Sequence, residues 1–199
     1  MGFEDSAESI RARLAEDAEA FAGTGHRRSH MALLDAQYLD GRRGARDAEL
    51  LATRLREWMR EGAGCIAAPA GAGRLCRGPI ERIRRVTTRV NRGYVHPDHV
   101  FVRQVVLETV SPDPAIELIA YEELPYTWAG SSQPRLTSVA RAAGRAVVPL
   151  DLPVDRAVKA RRIGAYRSQA AALSLDGRRV DDPDALPAAE RYWRLMALR

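Results

Sequence analysis

The sequence predicts an α/β layered domain with a mostly parallel sheet. Short apolar runs alternate with segments of helical periodicity, which is the pattern of strands joined by crossover helices. At least one run, GCIAAPAGAG at 64–73, passes directly into a Gly/Pro loop, as a strand does where it opens toward a ligand crevice. No repeat and no Pro-, Gly- or Ser-rich linker divides the chain, so its 199 residues read as one domain, 1–199.

The elements follow in order. Residues 4–22 repeat Ile10, Leu14, Ala18 and Phe21 at helical spacing with acids in the first turn, and Gly23 and Gly25 stop that helix. HMALLD, 30–35, is a short apolar run that reads as a strand. RDAELLATRLREWMR, 46–60, is an amphipathic helix ended at Glu61-Gly62, and a buried strand follows within 64–73. A helix runs from Pro97 to about Val110 and is broken by Ser-Pro-Asp-Pro. IELIAYEELPYTW, 116–128, starts as a strand and ends in an aromatic loop; RAVVPLDLP, 145–153, is a further strand. The pattern then predicts a helix from Val154 to about Leu173, with Asp155 near its start, and a short last helix over 187–198.

Composition excludes several classes. Apolar residues are 46% of the chain and charged residues 29%, an ordinary globular balance. No apolar run reaches the 18 or more residues of a membrane span. The acidic, amphipathic start lacks the basic and apolar regions of a signal peptide. Cys65 and Cys76 are too few for a disulfide scaffold, match no metal spacing, and read as reduced structural thiols in a cytoplasm. The formal charge is +5, and Lys159 is the only lysine, read as a surface charge. Between Arg74 and Arg92 there are seven arginines and one acid, Glu81. Such a run suits a solvated face or an anionic ligand; without interleaved aromatics it disfavours nucleic acid.

The chemistry-bearing stretch is GYVHPDHV, 93–100. Pro97 fits the first position of a helix, where its missing N–H costs nothing, and the helix dipole favours Asp98 in the first turn. That makes His96 the N-cap. Neither argument accounts for two histidines, which are poor caps and indifferent helix formers. Three apart on a first turn, His96 and His99 can face one cleft, and neutral imidazole is a common zinc ligand. Residue spacing alone leaves two readings open: the start of a buried helix, or half of a metal site. Tyr121, Tyr126 and Trp128 read as packing more than as a substrate platform, and Trp58, Tyr192 and Trp193 as core. His26 and His30 read as solvated.

GYVHPDHV followed by a buried helix resembles the C-terminal motif of the PIG-L/LmbE family of metal-dependent de-N-acetylases. The resemblance continues through RARLAED, LLDAQYLDG, APAGAG, YEELPYTW, KARRIGAYRSQ and ALPAAERYW, and so covers nearly the whole chain in order. It implies a Rossmann-like, three-layer, LmbE-like α/β domain holding Zn²⁺ or another divalent metal. The implied activity is removal of an N-acetyl group from an N-acetylglucosamine-type sugar or glycoconjugate by metal-bound water. By the same resemblance His99 matches a metal ligand. His96 matches the histidine that stabilises the oxyanion or protonates the leaving amine, Asp98 the carboxylate that orients it, and Tyr94 a tyrosine beside the substrate carbonyl. In the family's layout the arginine-rich segment rims the active-site mouth. Arg84 and Arg85 are thus candidate contacts to an anionic substrate.

One part of the family pattern is missing. The His-Pro-Asp-Asp motif after the first strand, which supplies two metal ligands and the general base, occurs nowhere in this sequence. The chain thus resembles a family member without its N-terminal strand, motif and helix, through a late gene start, a cut chain or degeneration. Weak metal binding and impaired or absent activity are the expectations, with association through an exposed sheet edge left open. The rival reading is a non-catalytic module that binds polyanions or nucleic acid through segment 74–92, with HPDH serving only as a helix start.

Overall fold

The computed structural model describes residues 6–36, 39, 43–74 and 94–198. Its elements in chain order are α1 (Ser6–Ala20), α2 (Ala45–Arg60), β1 (Cys65–Pro69), α3 (Pro97–Val110), β2 (Glu117–Tyr121), a 3₁₀ turn (Tyr126–Trp128), α4 (Gln133–Ala142), β3 (Arg145–Pro153), α5 (Arg156–Gly164) and β4 (Ala189–Ala197). Packing groups them into two compact units. One contains α1, α5 and the segment up to Ala189; the other contains α2 to α4 and the sheet.

The sheet has the order β1-β2-β4-β3. β1 and β2 run parallel, with Ile66 opposite Leu118 and Pro69 opposite Tyr121. β2 and β4 run antiparallel, with Leu118 opposite Leu195 and Ala120 opposite Trp193. The sheet is therefore mixed, not mostly parallel as the alternation of elements predicts. The cause is β4. AERYWRLMA alternates Trp193 and Leu195 inward with Arg194 and Met196 outward, and Tyr and Trp favour the pleated surface, so the segment forms a strand where a short helix is expected.

Helix α3 lies on β1, and α2 lies on α3. Leu51, Ala52 and Leu55 of α2 are buried, as are Val105, Val106, Leu107 and Val110 of α3 and Leu118, Leu136, Trp193 and Leu195 beyond them. Arg145, also buried, donates to the Ser111 and Asp113 carbonyls at 2.8 and 3.2 Å and to the Leu195 carbonyl at 3.2 Å. It thereby satisfies acceptors left over at the C-terminus of α3 and ties them to β4.

Helix α4 has no counterpart among the predicted elements. Its signals are present: Ser132 before it, Pro134 in its first turn, buried Leu136 and Ala140 one turn apart, and Gly144 after it. HMALLD, expected as a strand, is irregular, and Leu34 is exposed. Helix α5 stops at Gly164, short of the predicted Leu173; residues 166–172 make successive turns instead.

Polar contacts join α1 to the segment after α5 in the first unit. Ile10 and Leu14 of α1 and Phe21 just after it are exposed, while Ser9, Glu16 and Ala20 are buried. The Glu16 carboxylate accepts from the Ser168 amide at 2.7 Å and its hydroxyl at 2.6 Å. The Tyr166 hydroxyl donates to Asp17 at 2.7 Å. Lys159 is half-buried on α5, and burial pulls its ammonium down to about 8, so it is not the plain surface charge the sequence suggests. No helix among the described residues is long and apolar enough to cross a membrane.

The strand assignment of 189–197 makes a direct prediction. Trp193→Ala should destabilise the fold by about 3–5 kcal/mol, while Met196→Ala on the opposite face should stay within roughly 0.5 kcal/mol. Chemical denaturation of both variants reads the difference; equal losses would contradict the alternation.

Candidate active site

Three segments converge where β1 and β2 end. The first is the Ala70–Gly73 loop after β1, the second is Glu122-Glu123 after β2, and the third is the start of α3. Glu123 joins them. Its carboxylate accepts from the Gly71 amide at 2.8 Å and the Ala72 amide at 3.0 Å, and one of its oxygens lies 3.0 Å from His99 Nδ1. The side chain is 6% exposed. Burial pushes its pKa up, but His99 and the two backbone amides outweigh burial and hold it below the usual glutamate range.

The loop is shaped to make those contacts. Gly71 has φ +74°, and a Cβ there would meet the Arg103 guanidinium at 2.8 Å, so glycine answers both the backbone and the space. Arg103, buried within α3, donates to the Ala70 carbonyl at 2.7 Å. Arg135 of α4 donates to the carbonyls of Gly71 and Gly73 at 2.8 and 2.9 Å. Two guanidiniums thus hold the loop's oxygens while one carboxylate holds its amides. Burial lowers the pKa of Arg103, as does the nearby Arg135, while Glu123 raises it.

His96 is the N-cap of α3, with Pro97 at the first helical position, as the sequence predicts. Its Nδ1 accepts from the Asp98 amide at 3.3 Å. The His96 and His99 rings lie 4.9 Å apart, and Tyr126 packs against both, at 6.1 and 5.4 Å between centroids. Tyr126, read from sequence as a packing residue, is thus the tyrosine whose ring meets the histidine pair. Tyr94 pairs its backbone with Arg74 immediately before the motif.

Asp98 has partners of its own. It accepts from Arg43 Nε at 2.8 Å and from the Ala36 amide at 3.0 Å, and its carboxylate lies 3.9 Å from His96 Nδ1. Arg43 also donates to Asp47 at 3.2 Å and the Leu34 carbonyl at 2.7 Å, and stands over the Phe101 ring at 5.0 Å. Burial works against the ionised form of Asp98, but Arg43 and Ala36 prevail and lower its pKa. The carboxylate therefore anchors the segment before α2 to the first turn of α3, and its contact with His96 is the longest it makes.

The sequence motif located the two histidines and the loop. Glu123 falls within YEELPYTW, but nothing in that stretch marks it as the glutamate that turns inward; Arg103, Arg135 and Arg43 carry no motif, and the ion pair joining positions 43 and 98 is invisible without the fold. Arg84, Arg85, Cys76 and all but Arg74 of the arginine-rich segment lie outside the described residues.

Among the described residues no three His, Cys, Asp or Glu side chains cluster as a metal site. A catalytic zinc takes three protein ligands as a rule. Asp98 is committed to Arg43, and Glu123 to the loop amides, so the described donors do not complete a metal centre; His99 remains the one ligand that the family resemblance implies.

No known protein-family model matches the chain, and no curated protein matches it. Solved structures do. The chain superposes on the A40926 pseudoaglycone deacetylase Dbv21 with a TM-score of 0.60 at 18% identity, over 100% of this chain and 75% of that one. It superposes on the deacetylase of the teicoplanin biosynthesis pathway, solved as a complex with bog, with a TM-score of 0.61 at 18% identity, over 96% and 74% of the two chains. The chain thus has the α/β fold of these deacetylases.

The ionic contacts set an acid limit on stability. Glu123 and Asp98 ionise more readily in the folded than in the unfolded chain, so their contributions are present above the ordinary carboxyl range. They are lost as pH falls through the lowered folded-state values. Stability should therefore decline below about pH 4. Glu123→Gln should cost about 2 kcal/mol at neutral pH and flatten that decline. Urea titrations across pH check this; an unchanged acid slope would contradict it.

Proposed function

We propose that this chain is a deacetylase-type hydrolase acting on the N-acetyl group of an amino sugar or glycoconjugate, with His96 and His99 at the reacting amide. The observation that carries the reading is the convergence of the histidine pair, Glu123 and the Gly71–Gly73 loop at the ends of two parallel strands. Such strand ends are where open α/β sheets bind ligands, and the whole convergence sits in a fold shared with two deacetylases.

The chemistry fits the residues. An amide is a weak electrophile with a poor leaving group, so hydrolysis needs a donor at the developing oxyanion and an acid for the departing amine. His96, 37% exposed at the mouth of the pair, can donate at either position. His99, held from behind by Glu123, presents its other ring nitrogen. Tyr126 stands as a wall beside both rings, able to pack on the apolar face of a sugar or its acetyl methyl. The resemblance also implies Zn²⁺ or another divalent metal at His99. The described donors do not complete a metal centre.

Two measurements test the reading. The first is acetate release from N-acetylated amino sugars and glycoconjugates, neutral and anionic, with divalent metal supplied. Slow release is expected, and His96→Ala should lower it by roughly 10². The same substrates should shift the NMR signals of His96, His99 and Tyr126; no acetate together with no shift at these residues would contradict the proposal. The second is calorimetric titration with Zn²⁺. Binding should be weak and fall far short of the roughly 10 kcal/mol of a structural site. A nanomolar, stoichiometric site abolished by His99→Ala would contradict an incomplete donor set.

A further inference from the structure

We propose that Glu123 is a positioning residue that fixes His99 as its Nδ1–H tautomer, opposite to the tautomer of His96, so that the pair presents one N–H donor and one nitrogen lone pair. The inference deepens the deacetylase reading, on which it rests only for its chemical use.

The geometry assigns each proton. His96 Nδ1 accepts a hydrogen bond from the Asp98 amide at 3.3 Å, as an N-cap side chain does, so that nitrogen carries a lone pair. In a neutral ring the proton is then on Nε2. His99 Nδ1 is in the reverse position. It is fully buried and has no well-aligned hydrogen-bond partner. The polar atom facing it is a Glu123 carboxylate oxygen at 3.0 Å. A lone pair on Nδ1 would face the lone pairs of an anion at contact distance in a water-poor setting, which is strongly repulsive. A proton on Nδ1 turns the same contact into a charge-assisted interaction. His99 therefore carries Nδ1–H and leaves Nε2 as acceptor.

Glu123 is itself fixed. The amides of Gly71 and Ala72 hold both carboxylate oxygens, and Gly71 is the residue whose replacement would collide with Arg103. The carboxylate cannot swing away without unsatisfying two buried N–H groups. The tautomer of His99 is thus set by the β1 loop acting through Glu123, a carboxylate–histidine arrangement that fixes the orientation of an imidazole. Two imidazoles with ring centroids 4.9 Å apart and opposite tautomers can address one amide together. The His96 Nε2–H suits an oxygen that gains charge, and the His99 Nε2 lone pair suits a proton or other electrophile.

The test is ¹⁵N-edited NMR of the ring nitrogens in the full chain without added metal, at alkaline pH. His99→Asn and His96→Asn assign the signals. In the wild-type protein His99 should show a pyrrole-like Nδ1 and a pyridine-like Nε2, with a tautomer ratio of roughly tenfold or more, and His96 should show the reverse. Glu123→Gln should move the His99 ratio toward the Nε2–H form that free imidazole favours and leave His96 unchanged. His99 in the Nε2–H form, or both rings in the same tautomer, would overturn the proposal, as would a ratio unmoved in folded Glu123→Gln. If that variant does not fold, the wild-type spectrum alone decides. The spectrum is read without turnover, so opposite tautomers without acetate release would remove the deacetylase reading and leave this one standing.

Discussion

The site depends on one buried carboxylate. Glu123 leaves the end of β2 and meets two backbone amides of the β1 loop and the ring of His99. A carboxylate buried without partners would cost several kcal/mol or take up a proton. This one has three partners drawn from two other segments. Those partners keep it ionised, and satisfying it fixes where each segment stands. The carbonyls of Ala70, Gly71 and Gly73 in that loop are held by Arg103 and Arg135.

The second anchor works on the same principle at the first turn of α3. Asp98 holds Arg43 and the Ala36 amide, and Arg43 reaches on to Asp47 and to the Leu34 carbonyl. HMALLD fails to become a strand within this arrangement. Its end is fastened to a helix N-terminus by a side chain, and no ladder partner for it exists among the described residues. The apolar character of the segment suggests a strand, but the hydrogen bond from Arg43 to the Leu34 carbonyl, and that from the adjoining Ala36 amide to Asp98, settle its place.

What the sequence disclosed divides along the same line. Local signals match the structure: Pro97 at the first helical position, the period of 46–60, the β1 run, and the glycines after it. His96 and His99 were legible because helix geometry brings positions three apart to one side. Glu123 was not, because YEELPYTW reads as a strand that runs out, and nothing in it says which glutamate turns inward; Glu122 instead serves Ser131, Ser132 and Trp193. Helix α1 misled in the opposite sense, with its apolar residues outward and Glu16 inward to the Ser168 turn. The last strand was misread because aromatic alternation over 189–197 is short, and a helical period fits nine residues nearly as well.

The fold places a histidine pair and an aromatic wall at strand ends that suit ligand binding, and the carboxylate clamp makes the arrangement rigid. Backbone hydrogen exchange at Gly71 and Ala72 tests that clamp most directly. Loop amides without partners exchange as fast as unfolded chain, whereas amides held by a buried carboxylate open only when the site opens. The account predicts that both exchange slowly in the wild-type protein, at matching rates, and that both accelerate in Glu123→Ala while the amides of β2 stay protected. Fast exchange of Gly71 and Ala72 in the wild type would contradict it.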